Sequence, residues 1–399
     1  MANIPPLPLI LLAVFATGMG QTIVFAVLAP LGREVGLAEI QVGLIIAASS
    51  VVFSIASPRW GRVSERIGRR RTMIIGLLGY SFGTALFATA FLAGMQGWLV
   101  GGSVLLALVI ARMIQSTVMA ATAPAANAYI ADITTREQRV GGMGRLGAAH
   151  NLGTILGPAI GGALAIFSLL APLYVAAVVT LLTAAVIWRW LPEAPRAPAP
   201  PAMHGAAAGK GPGYFDPRVF PFLLIGIFLY IAFSVVQQTL GFYIQDRLAL
   251  DSAGTARYAG MVMMIGAVAS LAAQMVAVRR HWSPRRLIIT GLPVVLLGAL
   301  LMAAANGVVV MALAMACVGC GVGLAGPGYS ASASRAVGAH EQGAVAGLVA
   351  AAPALGYVVG PLAGTALYQL DPRWPYLFVA VSFLPLIVYA ARKLGRHSP

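Results

Sequence analysis

Apolar residues run along this chain in stretches of about 20, the number one helix needs to cross a bilayer. Short segments rich in arginine, glycine and proline interrupt them. The pattern predicts twelve membrane-spanning helices, over residues 7–30, 39–58, 72–93, 99–130, 143–167, 171–190, 217–244, 257–278, 287–305, 308–333, 344–368 and 375–392. The fourth is longer than a bilayer requires, so one end is expected to protrude. Between the sixth and seventh lies LPEAPRAPAPPAMHGAAAGKGPGYFDP, whose Pro, Ala and Gly content builds no core and reads as a linker. The expected fold is an all-α membrane protein of two pseudo-symmetric six-helix bundles, 1–190 and 216–399, joined by a cytoplasmic linker over 191–215.

The two halves echo each other. Gly153, Gly157, Pro158 and Gly161 recur as Gly356, Gly360, Pro361 and Gly364, each displaced by 203 residues, and Pro124 recurs at the same interval as Pro327. GRRRTMIIGL (68–77) returns loosely as SPRRLIITGL (283–292), displaced by 215. Internal repeats of this kind mark secondary transporters, whose substrates bind near the midplane between repeats.

Composition sharpens this picture. Of 399 residues, 59% are hydrophobic and 9% charged, where a soluble domain carries roughly 25% charged residues. The net charge of +15 does not imply nucleic acid, because of where the charges fall. With a cytoplasmic N-terminus, 21 of the 26 basic residues lie on the cytoplasmic side. Positive-inside bias therefore predicts that both termini are cytoplasmic, in a bacterial inner membrane with anionic lipid at that face. The N-terminus lacks a basic n-region, so a cleaved signal peptide is not expected. Cys317 and Cys320 sit in an apolar run and read as small packing residues. Nothing resembles a P-loop, a catalytic constellation or a metal-ligand cluster, so neither an enzyme nor a cofactor or metal is expected.

GRLGAAHNLGTILGPAIGGAL (144–164) carries Gly153, Gly157, Pro158, Gly161 and Gly162 inside a predicted helix. Small residues spaced by four make a groove for a close helix neighbour, and Pro158 adds a kink. The expected neighbour is a helix of the other half, forming a seal on the outward side of a central cavity.

The first interhelical loop, GRVSERIGRRRTMI (61–74), resembles the signature loop of the major facilitator superfamily through Gly61, Glu65, Arg66, Gly68, Arg69 and Arg70, with Glu65 where Asp is usual. The resemblance implies a cytoplasmic gate, to which Asp132 of AYIADIT (128–134) also belongs. Arg112 is the one basic residue deep in a span, and charge there costs at least ~2.5 kcal/mol. Superfamily antiporters carry such an arginine, associated with proton coupling, and Gln115 fits that motif too. The 153–162 glycines and Pro158 resemble the antiporter motif of the fifth helix. AYIADIT, GPAIGGAL (157–164), IQDRLAL (244–250), DPRWPYLF (371–378) and GPGYSASASRAVGAHEQG (326–343) together resemble the tetracycline-resistance branch of twelve-helix drug:proton antiporters.

That branch carries acids in the first and third helices. Here the nearest equivalents are Thr17 and Thr84, and all eleven acids fall at loops or helix ends. His150 is the titratable group left within a span, with an ordinary pKa near 6.5, and is the candidate proton carrier alongside Arg112. Gln21, Asn127, Asn151, Gln237, Gln238, Gln274 and Tyr357, with Thr17 and Thr84, are the candidate cavity lining. The resemblance implies a proton-coupled exporter, expected to be monomeric, and these residues predict a small neutral, zwitterionic or anionic cargo, such as a drug-like compound, a carboxylate-bearing metabolite or a siderophore. The alternatives are uptake or facilitated diffusion of an organic anion by the same fold, and a non-transporting sensor, for which the linker is too short to hold an output domain.

Overall fold

The computed structural model describes residues 5–194, 213–338 and 341–395. Most of the predicted linker therefore lies outside the described residues. In chain order the helices are α1 (Pro6–Glu34), α2 (Glu39–Ile67), α3 (Arg69–Met95), α4 (Gly102–Met119), α5 (Thr122–Ile133), α6 (Arg136–Leu164), α7 (Ala171–Trp190), α8 (Phe220–Leu248), α9 (Ser252–Arg279), α10 (Pro284–Ala303), α11 (Val308–Arg335), α12 (Gln342–Leu370) and α13 (Trp374–Gly395). No strand occurs among the described residues.

Eleven segments are long and apolar enough to cross a membrane, with α4 and α5 counted as one, Gly102–Ile133. The twelfth predicted span, α6, has the length, but His150, Asn151 and its glycines dilute its apolar character. The fourth span was expected as one helix and is two. Pro124 has no N–H to give the Ala120 carbonyl, and its ring crowds that carbonyl. The ladder breaks at Ala120–Ala121 and resumes as α5. Several helices also outrun their apolar stretches. Arg59, Arg62 and Arg66, expected in a loop, occupy the last turns of α2, because arginine is a good helix former and the end of a helix tolerates it outside lipid.

The chain folds as two compact units, residues 1–204 with 251–260, and 205–250 with 261–399. The first ten residues after Leu250 thus belong with the N-terminal unit. In the first unit, Ile10, Leu77, Tyr129, Ile130 and Ile187 form a core among α1, α3, α5 and α7. In the second, Leu229, Leu292, Val295, Tyr329 and Phe383 do the same among α8, α10, α11 and α13.

The repeated glycines form a seam in each unit. A Cβ at Gly153 would stand 2.7 Å from the Met19 nitrogen, and one at Gly161 3.1 Å from the Ile23 carbonyl oxygen; Gly157 meets Thr22 and Met19. All of these neighbours lie on α1. In the second unit Gly356 meets Tyr230, Gly360 meets Ser234 and Gly364 meets Val235 and Thr239, all on α8. The expected partner in the other half is thus corrected for Gly153, Gly157 and Gly161. Their groove is filled by the first helix of their own half, since only its backbone comes close enough to use the missing Cβ. Gly162 does meet a later helix. It lies against Ala256 and Arg257, and Gly260 reaches the Pro158 carbonyl, at the start of α9 within the same unit.

Candidate functional site

The signature loop closes one end of the first unit. Gly68 joins α2 to α3 at φ 100° and ψ 151°, a conformation open mainly to glycine. A Cβ there would also stand 2.8 Å from the Glu193 carboxylate. That carboxylate accepts the Arg70 backbone N–H at 3.0 Å, while the Arg70 guanidinium donates to the Trp188 carbonyl. Arg69 Nε donates to Asp132 Oδ2 at 3.1 Å, and its other arm donates to Ser64. Tyr129 donates to the Pro192 carbonyl at 2.7 Å, and Gly61 faces Pro124 of α5, where an added Cβ would make an ordinary contact at 3.8 Å. The structure thus brings Gly61, Gly68, Arg69, Arg70 and Asp132 together, while Glu65 and Arg66 are exposed.

The acid that receives Arg70 is not one that the sequence singles out. Glu193 follows α7 in LPEAP, and no spacing connects it to position 70. An acid just past a helix end, 123 residues from the basic loop, is visible only once α3 and α7 are neighbours.

Deeper in the first unit, three predicted or motif residues form a chain. Arg112 is 7% exposed and donates to Gln115 Oε1. Gln115 in turn donates to the Thr84 hydroxyl, which donates onward to the Tyr80 carbonyl at 2.7 Å. Arg112 and Gln115 sit three apart on α4 and share one helix face. Gly83 of α3 leaves room for the Gln115 stem, which is how the amide reaches Thr84. The guanidinium also lies 5.4 Å from the Phe87 ring centroid, a favourable cation–π arrangement. Its Nε and the buried Tyr80 hydroxyl have no hydrogen-bond partner among the described residues.

His150 is half-buried on α6 and lies against Gly18 of α1, where a Cβ would stand 2.9 Å from its Nδ1. No hydrogen bond or ion pair joins it to Arg112 among the described residues. Thr17 returns its hydroxyl to its own helix, to Ala13 and Val14. Gln21 is half-buried, and Asn127 and Asn151 are exposed. In the second unit Tyr357 donates to Gln237 Oε1 at 2.9 Å, joining α12 to α8. Gln238 is buried and its Oε1 lacks a partner among the described residues. Gln274 bonds Ser270, on α9 itself. Burying a polar atom of this kind is costly until it is paired.

A family model described as Major Facilitator Superfamily matches residues 10–355 and 278–399. The chain is 27% identical over 379 residues to multidrug resistance protein 1 of Bacillus subtilis (strain 168), covering 94% of this chain and 93% of that protein. It is 27% identical over 400 residues to the class G tetracycline resistance protein of Vibrio anguillarum, covering 94% of each. Among solved structures, a bacterial homologue of the human lysosomal transporter Spinster, in an inward-facing and occupied conformation, matches with a TM-score of 0.76 at 14% identity over 98% of both chains. The signature loop, the paired glycine seams and these matches coincide. The chain is a multi-pass membrane transporter rather than an enzyme, and it belongs to the Major Facilitator Superfamily.

Proposed function

We propose that this protein exports a small organic molecule by alternating access, driven by protons moving the opposite way. The observation that carries this reading is the state of Arg112. Its charge is buried in the first unit and answered by Gln115 and the Phe87 ring, with no carboxylate paired to it among the described residues. In a low-dielectric interior, such a charge favours a substrate carboxylate and disfavours a proton held nearby. A carboxylate bound there would offset this field and ease protonation nearby, so exchange requires that the proton and the cargo compete for the same polar groups. His150 is the proton carrier in this reading. Thr17, Gln21, Thr84, Asn127, Asn151, Gln237, Gln238, Gln274 and Tyr357 meet a neutral, zwitterionic or anionic cargo, such as a drug-like compound or a siderophore.

The bundles 1–190 and 216–399 are the moving bodies, joined by the linker 191–215. Both termini face the cytoplasm of a bacterial inner membrane. The contacts of Gly68, Arg69 and Arg70 with Asp132 and Glu193 hold the cytoplasmic end, beside anionic lipid, and the protein works as a monomer. Relatives named for multidrug and tetracycline resistance support outward transport.

The test is efflux from proteoliposomes with an imposed pH gradient, in the wild type and in R112Q and H150Q. Gradient-driven export that falls in both variants is expected. Outward movement indifferent to the gradient defeats proton antiport. A second reading, facilitated uptake of an organic anion, is favoured by the same lack of a carboxylate beside Arg112 among the described residues, and it requires net inward movement with the gradient collapsed.

A further inference from the structure

A cavity of about 610 Å³ opens within the second unit, between the starts of α8 and α10, the end of α11 and the later part of α13. Arg218, Arg285 and Arg335 stand around it, while Phe222, Ile225 and Ala390 supply an apolar wall. Arg218 is already committed, to Asp216 at 2.8 Å and to Glu341 at 3.0 Å. The Arg335 guanidinium and the Tyr389 hydroxyl form no hydrogen bond among the described residues, and Arg335 is exposed. Ser283 caps α10 by accepting from Arg286 N at 3.3 Å, so the positive end of that helix opens on the same space.

The balance of charges selects the occupant. Among the described residues three guanidinium groups meet two carboxylates, and Arg218 bonds to both of these. The remaining field is positive, which excludes a cation, and a free inorganic anion would leave the apolar wall uncovered. Guanidinium groups suit phosphate oxygens because they present paired donors in one plane. We propose that this cavity is a binding site for one anionic phospholipid, with its phosphate on Arg285 and Arg335, its headgroup hydroxyls toward Tyr389, and its first acyl carbons on Phe222 and Ile225. The site differs from the diffuse attraction of any basic rim to anionic lipid, because it is single and saturable. It depends neither on the direction of transport nor on proton coupling.

The test uses the purified full-length chain in detergent, with dioleoyl phosphatidylglycerol and dioleoyl phosphatidylcholine as probes. Native mass spectrometry counts bound lipid, and thermal melting reports its effect. The wild type is expected to retain one phosphatidylglycerol and to melt higher with it than with phosphatidylcholine. R285Q/R335Q should bind phosphatidylglycerol at least about tenfold more weakly, having lost both phosphate ligands, while melting normally in phosphatidylcholine. R59Q/R71Q, which removes two arginines of the first unit, should bind as the wild type does. Unchanged phosphatidylglycerol binding by R285Q/R335Q overturns the proposal, as does equal loss in R59Q/R71Q. Protection by inorganic phosphate alone, equal to that by the lipid, assigns the site to a free anion and overturns it too. If the double variant does not fold, R335Q carries the same comparison, since the Arg335 side chain forms no hydrogen bond among the described residues.

Discussion

Alanine at position 153 is the smallest change that tests the seam between α6 and α1. A Cβ there stands 2.7 Å from the Met19 nitrogen and closer still to the Phe15 carbonyl oxygen. Both are backbone atoms, so no side chain can rotate away. Ordinary contact begins at 3.4 Å, and the helices must part by at least about 0.7 Å. A gap of that size forfeits about a quarter to a half of the dispersion attraction of the atoms facing it. Overpacking of this kind costs about 1–3 kcal/mol, against which alanine recovers up to about 1 kcal/mol of helix preference over glycine. A melting temperature lower by several degrees is expected, at about 2–4 °C per kcal/mol for a unit of this size. Gly147 is the control on the same helix. A Cβ there meets nothing within 4 Å, so G147A keeps only the gain in helix preference and should melt at or above the wild type. Both variants are compared by fluorescence melting in one detergent, with transport measured alongside. If G153A melts as high as G147A, the close approach of α6 and α1 is not what holds the seam.

Three further outcomes follow from contacts within single units. Q115A removes the acceptor of a buried guanidinium, where hydrogen bonds to charged groups contribute about 1.5–3 kcal/mol; T84A removes a neutral link and should cost less, near 1 kcal/mol, and equal melting curves for the two would contradict the chain from Arg112 to Thr84. G68A combines a left-handed φ with a Cβ 2.8 Å from the Glu193 carboxylate; a loss of transport greater than in D132N is expected, because the Arg69–Asp132 pair is partly exposed and such pairs contribute only about 0–1 kcal/mol. The hydrogen bonds from Arg218 hold the Asp216 carboxyl below its ordinary 3.8. A depressed folded-state value means that the stabilisation is present above the unfolded value and is lost as pH falls through the folded one. The melting difference between wild type and D216N should therefore be constant near neutral pH and shrink below about pH 4; a difference that grows on acidification would reverse the sign.

The spans were legible because lipid sets their length and apolar character, and both are written in consecutive residues. Their ends were not, since α2 continues to Ile67 and α8 to Leu248 with polar residues that suit a helix outside lipid. The break at Ala120–Ala121 had a signal in Pro124, whose place in the internal repeat says nothing of the carbonyl it leaves unpaired. In the site, Arg112 and Gln115 were readable as one helix face. Their link to Thr84 needed α3 and α4 side by side, and Gly83 is what brings them close. Glu193 carried no signal at all, because its partners Gly68 and Arg70 reach it only through the packing of α7 on α3. The glycine spacing revealed the seam but misdirected its partner. A groove four residues apart specifies that a helix lies close, and nothing in it says which helix.

The neighbours of Gly153 are the backbone oxygen of Phe15 and the backbone nitrogen of Met19, and Gly161 likewise faces the Ile23 carbonyl. Such contacts are largely blind to which side chains α1 carries. Three positions of α6 are fixed as glycine in this way, while on α1 Gly18 is held likewise by the His150 backbone and its other positions are less constrained. That asymmetry divides evolutionary freedom between two touching helices. Residues of α1 such as Gln21 can drift while the seam itself stays intact.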